Sequence, residues 1–265
     1  MDNQKSFEHI QNEFNENYEK WMNDEKWSSR LNTKHGKKIA MCLENQRLYS
    51  FMEQGFDFIE KTYEIYQNFI GFDIVSVQPM LGPASRIYFT KNNELSHTDV
   101  NALTRILKET DPLSIANEIN RDIIGNLRDN VGITITKPWN NYKELICSNI
   151  SEIFTNMTGF GQKWIITGPD IAEILTSVRS SNVIQSVGIL NSEWNVIVDP
   201  LYTLDEILVG FQDDLLDGYF YSPYLIDLLT KNHLSVDFGK SYIARHSKKL
   251  ISNKAYGKII LKNYF

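Results

Sequence analysis

The side chains of this sequence that could bind a metal or act in catalysis are five histidines, two cysteines and a short run of aspartates. The histidines are His9, His35, His97, His233 and His246. None of them has the spacing of a metal-binding pair such as His-Glu-x-x-His, so a metal site would have to combine distant residues. Cys42 and Cys147 form no close pair for zinc or redox exchange, and we expect two idle thiols in a reducing compartment.

Asp213, Asp214 and Asp217 lie close enough in sequence to suggest a calcium-binding loop. Their spacing differs, however, from that of an EF-hand loop. Asp217 is followed by Gly218, and Asp-Gly is a typical two-residue turn of a β-hairpin. We therefore predict that the aspartates belong to a hairpin that joins strands at 207–211 and 219–221.

Gly159-Phe160-Gly161 begins like the glycine-rich loop that binds dinucleotides. Trp164 stands in the place of the third glycine, and the segment precedes a predicted strand instead of following one, so we favour a helix-to-strand turn. No P-loop, serine-hydrolase or kinase motif is present in the sequence. We predict no catalytic residue, no cofactor and no metal. An enzyme whose site combines distant residues stays an open alternative.

The composition, with 42% hydrophobic and 23% charged residues among 265, is that of a globular protein. No apolar run approaches the roughly 20 residues that a membrane-spanning helix needs, and the polar N-terminus lacks a secretory signal. The net charge of −6 is unevenly distributed. In 180–230, here called the acidic segment, all charged residues are acids: Glu193, Asp199, Asp205, Glu206, Asp213, Asp214, Asp217 and Asp227.

Residues 231–265, here called the basic segment, contain one acid, Asp237. Their basic residues are Lys231, Lys240, Arg245, Lys248, Lys249, Lys254, Lys258 and Lys262. The acidic and basic segments could be separate solvated faces, or surfaces that meet between identical subunits. The basic segment could also contact nucleic acid through phosphates.

The hydrophobic periodicity predicts helices in the first half of the chain and a mixed sheet in the second, hence an α+β protein. Residues 1–30 are expected to form an extended or loosely helical arm anchored by Trp21 and Trp27. The predicted helices are 43–70, 112–130, 142–157 and 170–178, with further helical sequence after a turn at Asn92-Asn93. The predicted strands are 72–75, 86–90, 164–167, 187–190, 196–198, 242–244 and 258–261.

Four stretches in order along the chain carry recognisable motifs: Phe72–Met80 with Gly82-Pro83, Glu118–Ile124, Trp164–Ser177 and Ile207–Tyr224. Together they resemble the major capsid protein of T-even-type (myovirus) tailed phages. Val-Gln-Pro-Met ends the first stretch, and Glu-Ile-Asn-Arg in the second is similar to the core of the family's spine helix. The third resembles a strand and helix of the axial region. The last resembles a Val-Gly hairpin followed by Pro-Tyr, and Lys258–Phe265 lies where the family's final strand lies.

The resemblance implies the Hong Kong 97-type capsid fold, with an N-terminal arm, a peripheral domain with a long spine helix, and an axial domain with a mixed sheet. It implies the following division: residues 1–40 as the arm, 41–160 as the peripheral region, 161–235 as the axial domain, and 236–265 as C-terminal strands that return to the peripheral region. The spine helix would be Pro112–Asn130.

Two departures from the family pattern bear on function. The extended loop between the strand at Arg86 and the helix at Pro112 is strongly shortened, and much of this interval has a helical pattern. Since that loop overlaps the neighbouring subunit in the family, we expect a weaker lattice. No Leu/Ile-x-Glu cleavage triplet occurs between Met1 and Glu60, so N-terminal processing is not expected.

We therefore expect a structural subunit of a phage head shell that assembles with itself into pentamers and hexamers around DNA. It would be assembled in the host cytoplasm and reside in the virion. Its partners would be copies of itself, other capsid proteins and, non-specifically, packaged DNA, without a membrane. The alternative is a minor capsid, vertex or accessory protein of the same fold that binds a full-length capsid protein.

Overall fold

The computed structural model describes residues 3–49, 57–139, 142–177, 183–202, 205–229 and 241–262. The described helices are α1 (Asn3–Met22), α2 (Glu25–Leu31), α3 (Gly36–Tyr49), α4 (Asp57–Gln67), α5 (Gly71–Ile74), α6 (Pro112–Asp129), α7 (Lys143–Asn156) and α8 (Pro169–Thr176). The described strands are β1 (Ser76–Val77), β2 (Ala84–Lys91), β3 (Glu94–Asn101), β4 (Leu103–Leu107), β5 (Ile133–Pro138), β6 (Gln162–Thr167), β7 (Gln185–Leu190), β8 (Trp194–Val198), β9 (Glu206–Gln212), β10 (Tyr219–Leu229), β11 (Ser241–Leu250) and β12 (Tyr256–Lys262). Helices and strands both contribute heavily, which confirms the α+β prediction.

The chain divides into two compact units, each made of several stretches of sequence. The first unit comprises Met1–Phe69, Val77–Ile119 and Phe220–Lys249. The second comprises Ile70–Ser76, Asn120–Tyr219 and Leu250–Phe265. The predicted division into an arm, a peripheral region, an axial domain and returning strands assigns a role to each region instead of marking compact units. It stays a prediction.

The start of the first unit is helical. Phe14 and Trp21 lie two turns apart on one face of α1 and are both buried. Trp27 of α2 meets Trp21 edge to face with ring centroids 5.3 Å apart, and its other side meets Tyr63 of α4 at 5.5 Å. The segment predicted as an extended or loosely helical arm therefore forms α1 and α2, and its two tryptophans anchor it within the first unit.

The single helix predicted over 43–70 is wrong. α3 begins at Gly36, and α3 and α4 pack against each other, which two parts of one straight helix cannot do. The apolar spacing that suggested one helix marks the buried faces of two. Phe51, Met52 and Phe56, part of that pattern, lie outside the described residues.

The first unit also contains a β-hairpin, a sheet and the start of α6. β2 and β3 pair antiparallel along their whole length, and Asn92 and Asn93, with φ of 52° and 63°, form the predicted two-residue turn. The helical sequence predicted after this turn is wrong, because β3 pairs with β2 and β4 pairs with β11. The sheet has the order β1-β10-β11-β4, so β4 is an edge strand.

The second unit is built on a six-stranded mixed sheet with the order β5-β12-β9-β6-β8-β7, as the sequence predicted for this half of the chain. β6 lies parallel to β8 and antiparallel to β9, while β12 lies between β9 and β5. α7 and α8 contact the sheet. Gly210 of β9 is required here, since a Cβ at this position would lie 2.3 Å from the Trp164 ring and 2.8 Å from the Tyr256 ring.

Two local predictions in this region need correction. β9 pairs with β12 and β6, whereas β10 belongs to the other sheet, so the hairpin predicted across Asp217-Gly218 is wrong. The strand predicted at 72–75 is also wrong, because residues 71–74 form the helical turn α5 and the strand begins at Ser76. The remaining predictions are confirmed by the helices α6, α7 and α8 and by the strands β2, β6, β7, β8, β11 and β12.

Candidate assembly surfaces

The side chains that could bind a metal or act in catalysis are dispersed over the described residues. Over the described ranges no group of three or more His, Cys, Asp or Glu side chains could hold a metal. His246 is buried and stacks on Tyr221 with ring centroids 5.0 Å apart, His97 lies opposite Tyr88 across the hairpin, and His233 lies outside the described residues. No helix in the part of the chain that the structure describes is long and apolar enough to cross a membrane.

The two thiols are shielded to different degrees. Cys42 is fully buried, and this burial raises its pKa far above the ordinary value. Cys147 is half-buried, and burial raises its pKa as well. Since the thiolate is the reactive form of cysteine, neither is suited to nucleophilic chemistry at neutral pH.

Of the three aspartates that suggested a calcium loop, Asp213 bonds to the backbone of its own turn. Asp213 Oδ1 accepts a hydrogen bond from Leu215 N at 2.9 Å, and Leu216 N donates to Asp213 O at 3.2 Å. The Ser76 hydroxyl donates to the carbonyl oxygen of Asp213 at 2.7 Å. Asp213 therefore shapes the chain after β9.

The middle of the β2–β3 hairpin, where Tyr88 pairs with His97, is held by the stretch Gln78-Pro79-Met80. Gln78 Oε1 accepts from Tyr88 N at 2.9 Å, and Gln78 Nε2 donates to Tyr88 O at 2.6 Å. Met80 N donates to Pro223 O at 2.9 Å, and Asn45 Nδ2 donates to Met80 O at 2.6 Å. The Val-Gln-Pro-Met motif is thus a hydrogen-bonded joint between the hairpin, α3 and β10.

Tyr88 also joins the hairpin to the N-terminal helix. Its side chain is only 1% exposed. The Tyr88 hydroxyl donates to Ser6 Oγ at 2.7 Å, and its ring centroid lies 5.3 Å from that of Phe7. Asn3 Nδ2 donates to Leu95 O at 3.3 Å. α1 therefore lies along the hairpin and supports it.

Glu118 of α6 binds the end of β4, the strand that follows the hairpin in sequence. Its Oε2 accepts from Lys108 N at 2.9 Å and from Glu109 N at 3.3 Å, while its Oε1 lies 3.3 Å from Arg105 Nη2. These contacts fix the end of β4 to the predicted spine helix. Glu118 belongs to the Glu-Ile-Asn motif, and the contacts explain why an acid stands there.

Asn120, the third residue of that motif, acts in the second unit. Its side chain is fully buried, and its Oδ1 accepts a hydrogen bond from Ile70 N at 3.1 Å. This bond satisfies a backbone donor at the start of α5, where the helix itself offers no partner.

The edge strand β4 presents large apolar side chains to solvent. Leu103 is 66% exposed and Ile106 is 63% exposed. The two project from opposite faces of the strand, since side chains alternate along β-structure. An exposed apolar edge strand is a template for pairing with another chain, which makes β4 a candidate contact between subunits.

In the second unit the exposed apolar side chains are distributed over several elements. Tyr142 and Leu145 form a pair at the start of α7, being 66% and 51% exposed. Ile189 is 66% exposed on β7, the edge strand at one side of the sheet. The irregular pairing between Ser186 and Gly188 interrupts β7, a feature that discourages uncontrolled edge pairing.

Some charged residues of the acidic and basic segments make contacts within the subunit. Glu206 lies 2.7 Å from Arg128 Nε and 3.9 Å from Lys258 Nζ. Asp199 Oδ1 accepts from Leu201 N at 3.0 Å in a local turn. Contact of these segments with another subunit stays a prediction.

The sequence interpretation missed the joints at Gln78, Tyr88 and Glu118 and the exposed apolar pair on β4. Gln78 bonds to backbone groups, and Glu118 bonds mainly to backbone groups, which leave no pattern in the sequence. Leu103 and Ile106 were assigned to a helix, so their exposure on an edge strand could not be foreseen.

Comparison with known proteins gives one family and several similar folds. The family described as "Major capsid protein Gp23" matches residues 100–258, more than half of the chain. No curated protein sequence matches the chain. A crystal structure of a virus-like particle from Pyrococcus furiosus is similar, with a TM-score of 0.52, 8% identity, and coverage of 76% of this chain and 96% of that chain. A solved structure from Mycobacterium phage Patience has a TM-score of 0.43, 8% identity, and coverage of 78% of this chain and 85% of that chain.

Proposed function

Because this chain belongs to the major capsid protein Gp23 family, we propose that it builds a phage head shell from pentamers and hexamers of itself. Family membership makes the chain a structural subunit of a viral capsid and a component of the virion. Its fold is the Hong Kong 97-type capsid fold. The observation on which the proposal rests is the family match over residues 100–258.

In this proposal the first unit supplies the overlap between subunits. The strands of the hairpin are each eight residues long, which corresponds to a reach of roughly 27 Å from base to tip. Its tip, Lys91–Glu94, is exposed. Gln78 and α1 hold the hairpin between Tyr88 and Leu95. Its exposed turn would then be the part that contacts a neighbour, in place of the family's longer loop.

The second unit would supply the contacts around the symmetry axis, as the predicted axial domain. It is built on a six-stranded sheet, and Tyr142 and Leu145 offer exposed apolar area for a repeated head-to-tail contact. We assign the chain no catalytic activity and no cofactor. Assembly would take place in the host cytoplasm.

Contact with packaged DNA is a finer part of the proposal. Lys249, Lys254 and Lys262 are exposed in the basic segment, and lysines of this kind bind phosphates without sequence preference. DNA binding that weakens steeply with added salt, measured by fluorescence anisotropy, is the expected result. Binding that salt leaves unchanged would contradict it.

The proposal is tested by following assembly of the purified chain with light scattering and sedimentation velocity over a range of concentration and salt. We expect discrete large species whose amount falls as salt screens contacts between subunits. A chain that remains monomeric over the whole range would refute self-assembly.

The alternative is a minor capsid or accessory protein that binds a full-length capsid protein, and the short hairpin favours it. Quantitative mass spectrometry of virions separates the two. Copies in the hundreds per particle support the major shell subunit, whereas a few copies support the accessory role.

A further inference from the structure

The outer edge of β4 is open in the described part of the chain. β4 pairs with β11 along all five of its residues, in an unbroken register from Leu103 opposite His246 to Leu107 opposite Tyr242. No described strand pairs with its other side, since β4 ends the sheet order β1-β10-β11-β4. Alternate N–H and C=O groups of β4 therefore point away from the sheet, where another strand can bind them.

β4 lacks the features with which proteins usually block an open strand edge, namely lysine, proline or a bulge. Its only charged residue, Arg105, is bound to Glu118 of α6 at 3.3 Å. The other edges of the two larger sheets have such features or are short. β5 ends with Lys137-Pro138, the pairing of β7 is irregular between Ser186 and Gly188, and β1 has only two residues. Among the edges of these sheets, β4 is therefore best suited to receive a further strand.

The exposed side chains of β4 indicate what kind of partner fits. Leu103 and Ile106, which project from opposite faces of the strand, are 66% and 63% exposed. A partner that packs on either face of the sheet covers only one of them. A strand that lies alongside β4 in the plane of the sheet flanks both, and it also satisfies the open backbone groups. The partner is therefore an extended strand.

We infer that β4 pairs antiparallel with β4 of a second copy of this chain, across a two-fold axis centred on Thr104. The inference rests on the proposed function, because a shell subunit is surrounded by copies of itself. In a closed shell, neighbouring rings are related by two-fold axes, and a two-fold contact joins a patch to the same patch on its copy. The β4 contact thus joins one ring to the next, whereas the head-to-tail contacts of the second unit build each ring.

The side chains of β4 favour this register. With the axis at Thr104, this exposed threonine lies opposite its own copy, and threonine pairs of this kind stabilise antiparallel strands. Leu103 then lies opposite the partner's Arg105, whose aliphatic stem can cover the leucine. An axis at Arg105 would instead place two guanidinium groups opposite each other, which is unfavourable. An axis at Leu103 would set Ile106 opposite Val100, which is buried within the hairpin.

The β4 contact is small, and its size determines where it can form. Stable interfaces bury about 1,200 Å² or more, whereas two paired strands of five residues are marginally stable by themselves. We therefore expect no dimer of free subunits through β4. In the shell the ring contacts hold the two copies in place, and the high effective concentration makes a weak contact sufficient.

Cysteine cross-linking in assembled particles tests the inference directly. Thr104→Cys is introduced together with Cys147→Ser, so that the buried Cys42 is the only other thiol. Residues opposite each other on the axis have Cα atoms about 4.5–5.5 Å apart, within reach of a disulfide. After mild oxidation we expect covalent dimers in particles and none in dispersed subunits. Thr134→Cys, an exposed threonine on the edge strand β5, is the matched control and should stay monomeric.

The outcomes separate the inference from the proposed function. Particles in which the Thr104→Cys chain stays monomeric overturn the inference and leave the proposed function intact. Equal cross-linking of Leu103→Cys would overturn the register, because Leu103 lies opposite the partner's Arg105 and not opposite its own copy. A wild-type chain that forms no particle would refute both.

A charge substitution gives a second readout. Thr104→Lys places two lysines opposite each other on the axis, and like charges in this position destabilise strand pairing. It should raise the critical concentration for closed shells on the order of tenfold, while open rings still form. Thr134→Lys on β5 is the matched control and should leave both rings and shells unchanged. Circular dichroism confirms that both variants fold. A Thr104→Lys chain that closes shells like the wild type would contradict the proposal.

Discussion

Glu44→Gln tests how much a buried carboxylate contributes to the packing of α1 on α3. The Glu44 side chain is 3% exposed, lies 2.6 Å from Lys20 Nζ and 2.7 Å from Arg47 Nη2, and accepts from Trp21 Nε1 at 3.2 Å. Burial by itself would raise the pKa of Glu44, but the hydrogen bonds from Arg47 and Lys20 outweigh it and lower this pKa from 4.5 to about 2. At about 1.4 kcal/mol for each pH unit, this corresponds to about 3 kcal/mol of folding stability at neutral pH. Since both cations are about half exposed, we expect a measured loss nearer to 2 kcal/mol.

The same pKa difference fixes the pH dependence. The folded state holds the Glu44 pKa below its unfolded value of 4.5, so the stabilisation is fully present above pH 4.5. It is lost progressively as the pH falls from 4.5 to about 2, where the folded state also binds the proton. The glutamine variant has no such proton, so the difference in unfolding free energy between wild type and variant should shrink across this window.

The assay is urea denaturation of unassembled subunits, followed by tryptophan fluorescence at several pH values. Trp21 is in direct contact with Glu44 and reports on this region. Glu19→Gln, exposed on α1, serves as the control and should change stability by less than about 0.5 kcal/mol. The reasoning is refuted if Glu44→Gln has the stability of the wild type at pH 7, or if the difference between them stays constant down to pH 2.

Three further substitutions probe the joints of the fold. Gly210→Ala would place a methyl group within 2.3 Å of an indole ring and should destabilise the second unit by about 1–3 kcal/mol in urea denaturation. Gly125→Ala on α6 is the control, because a methyl group there meets nothing within 4 Å and should not destabilise the unit. Gln78→Leu removes both side-chain bonds to the hairpin backbone, so amide hydrogen exchange of β2 and β3 should become faster; unchanged protection would count against this joint. Asn120→Ala leaves the amide of Ile70 without its acceptor and should cost about 1–3 kcal/mol by denaturation, and an unchanged midpoint would contradict that role.

Elements with a local signal could be predicted from the sequence. α6 begins at Pro112, where the missing N–H of proline costs nothing, and its apolar residues recur at helical spacing. α8 begins with Pro169 and ends at Ser177 in a left-handed conformation. β6 and β8 are short, buried apolar strands. In each of these elements the residues themselves determine the structure.

Elements set by distant partners could not be predicted in this way. The sequence of β3 and β4 has a helix-like spacing, but pairing with β2 and with β11 imposes extended structure. Asp217-Gly218 is a strong local turn signal, yet β9 pairs with β12 and β6 instead of β10. The candidate contact at the edge strand β4 depends on such a distant pairing, which is why it became visible only in the structure.

Electron microscopy of the purified chain tests the central claim most directly. A subunit of the Gp23 family that assembles through repeated contacts should form rings or closed shells of regular diameter, and these should become fewer as salt rises. A field of single subunits under every condition, including concentrations well above those found in an infected cell, would contradict the account.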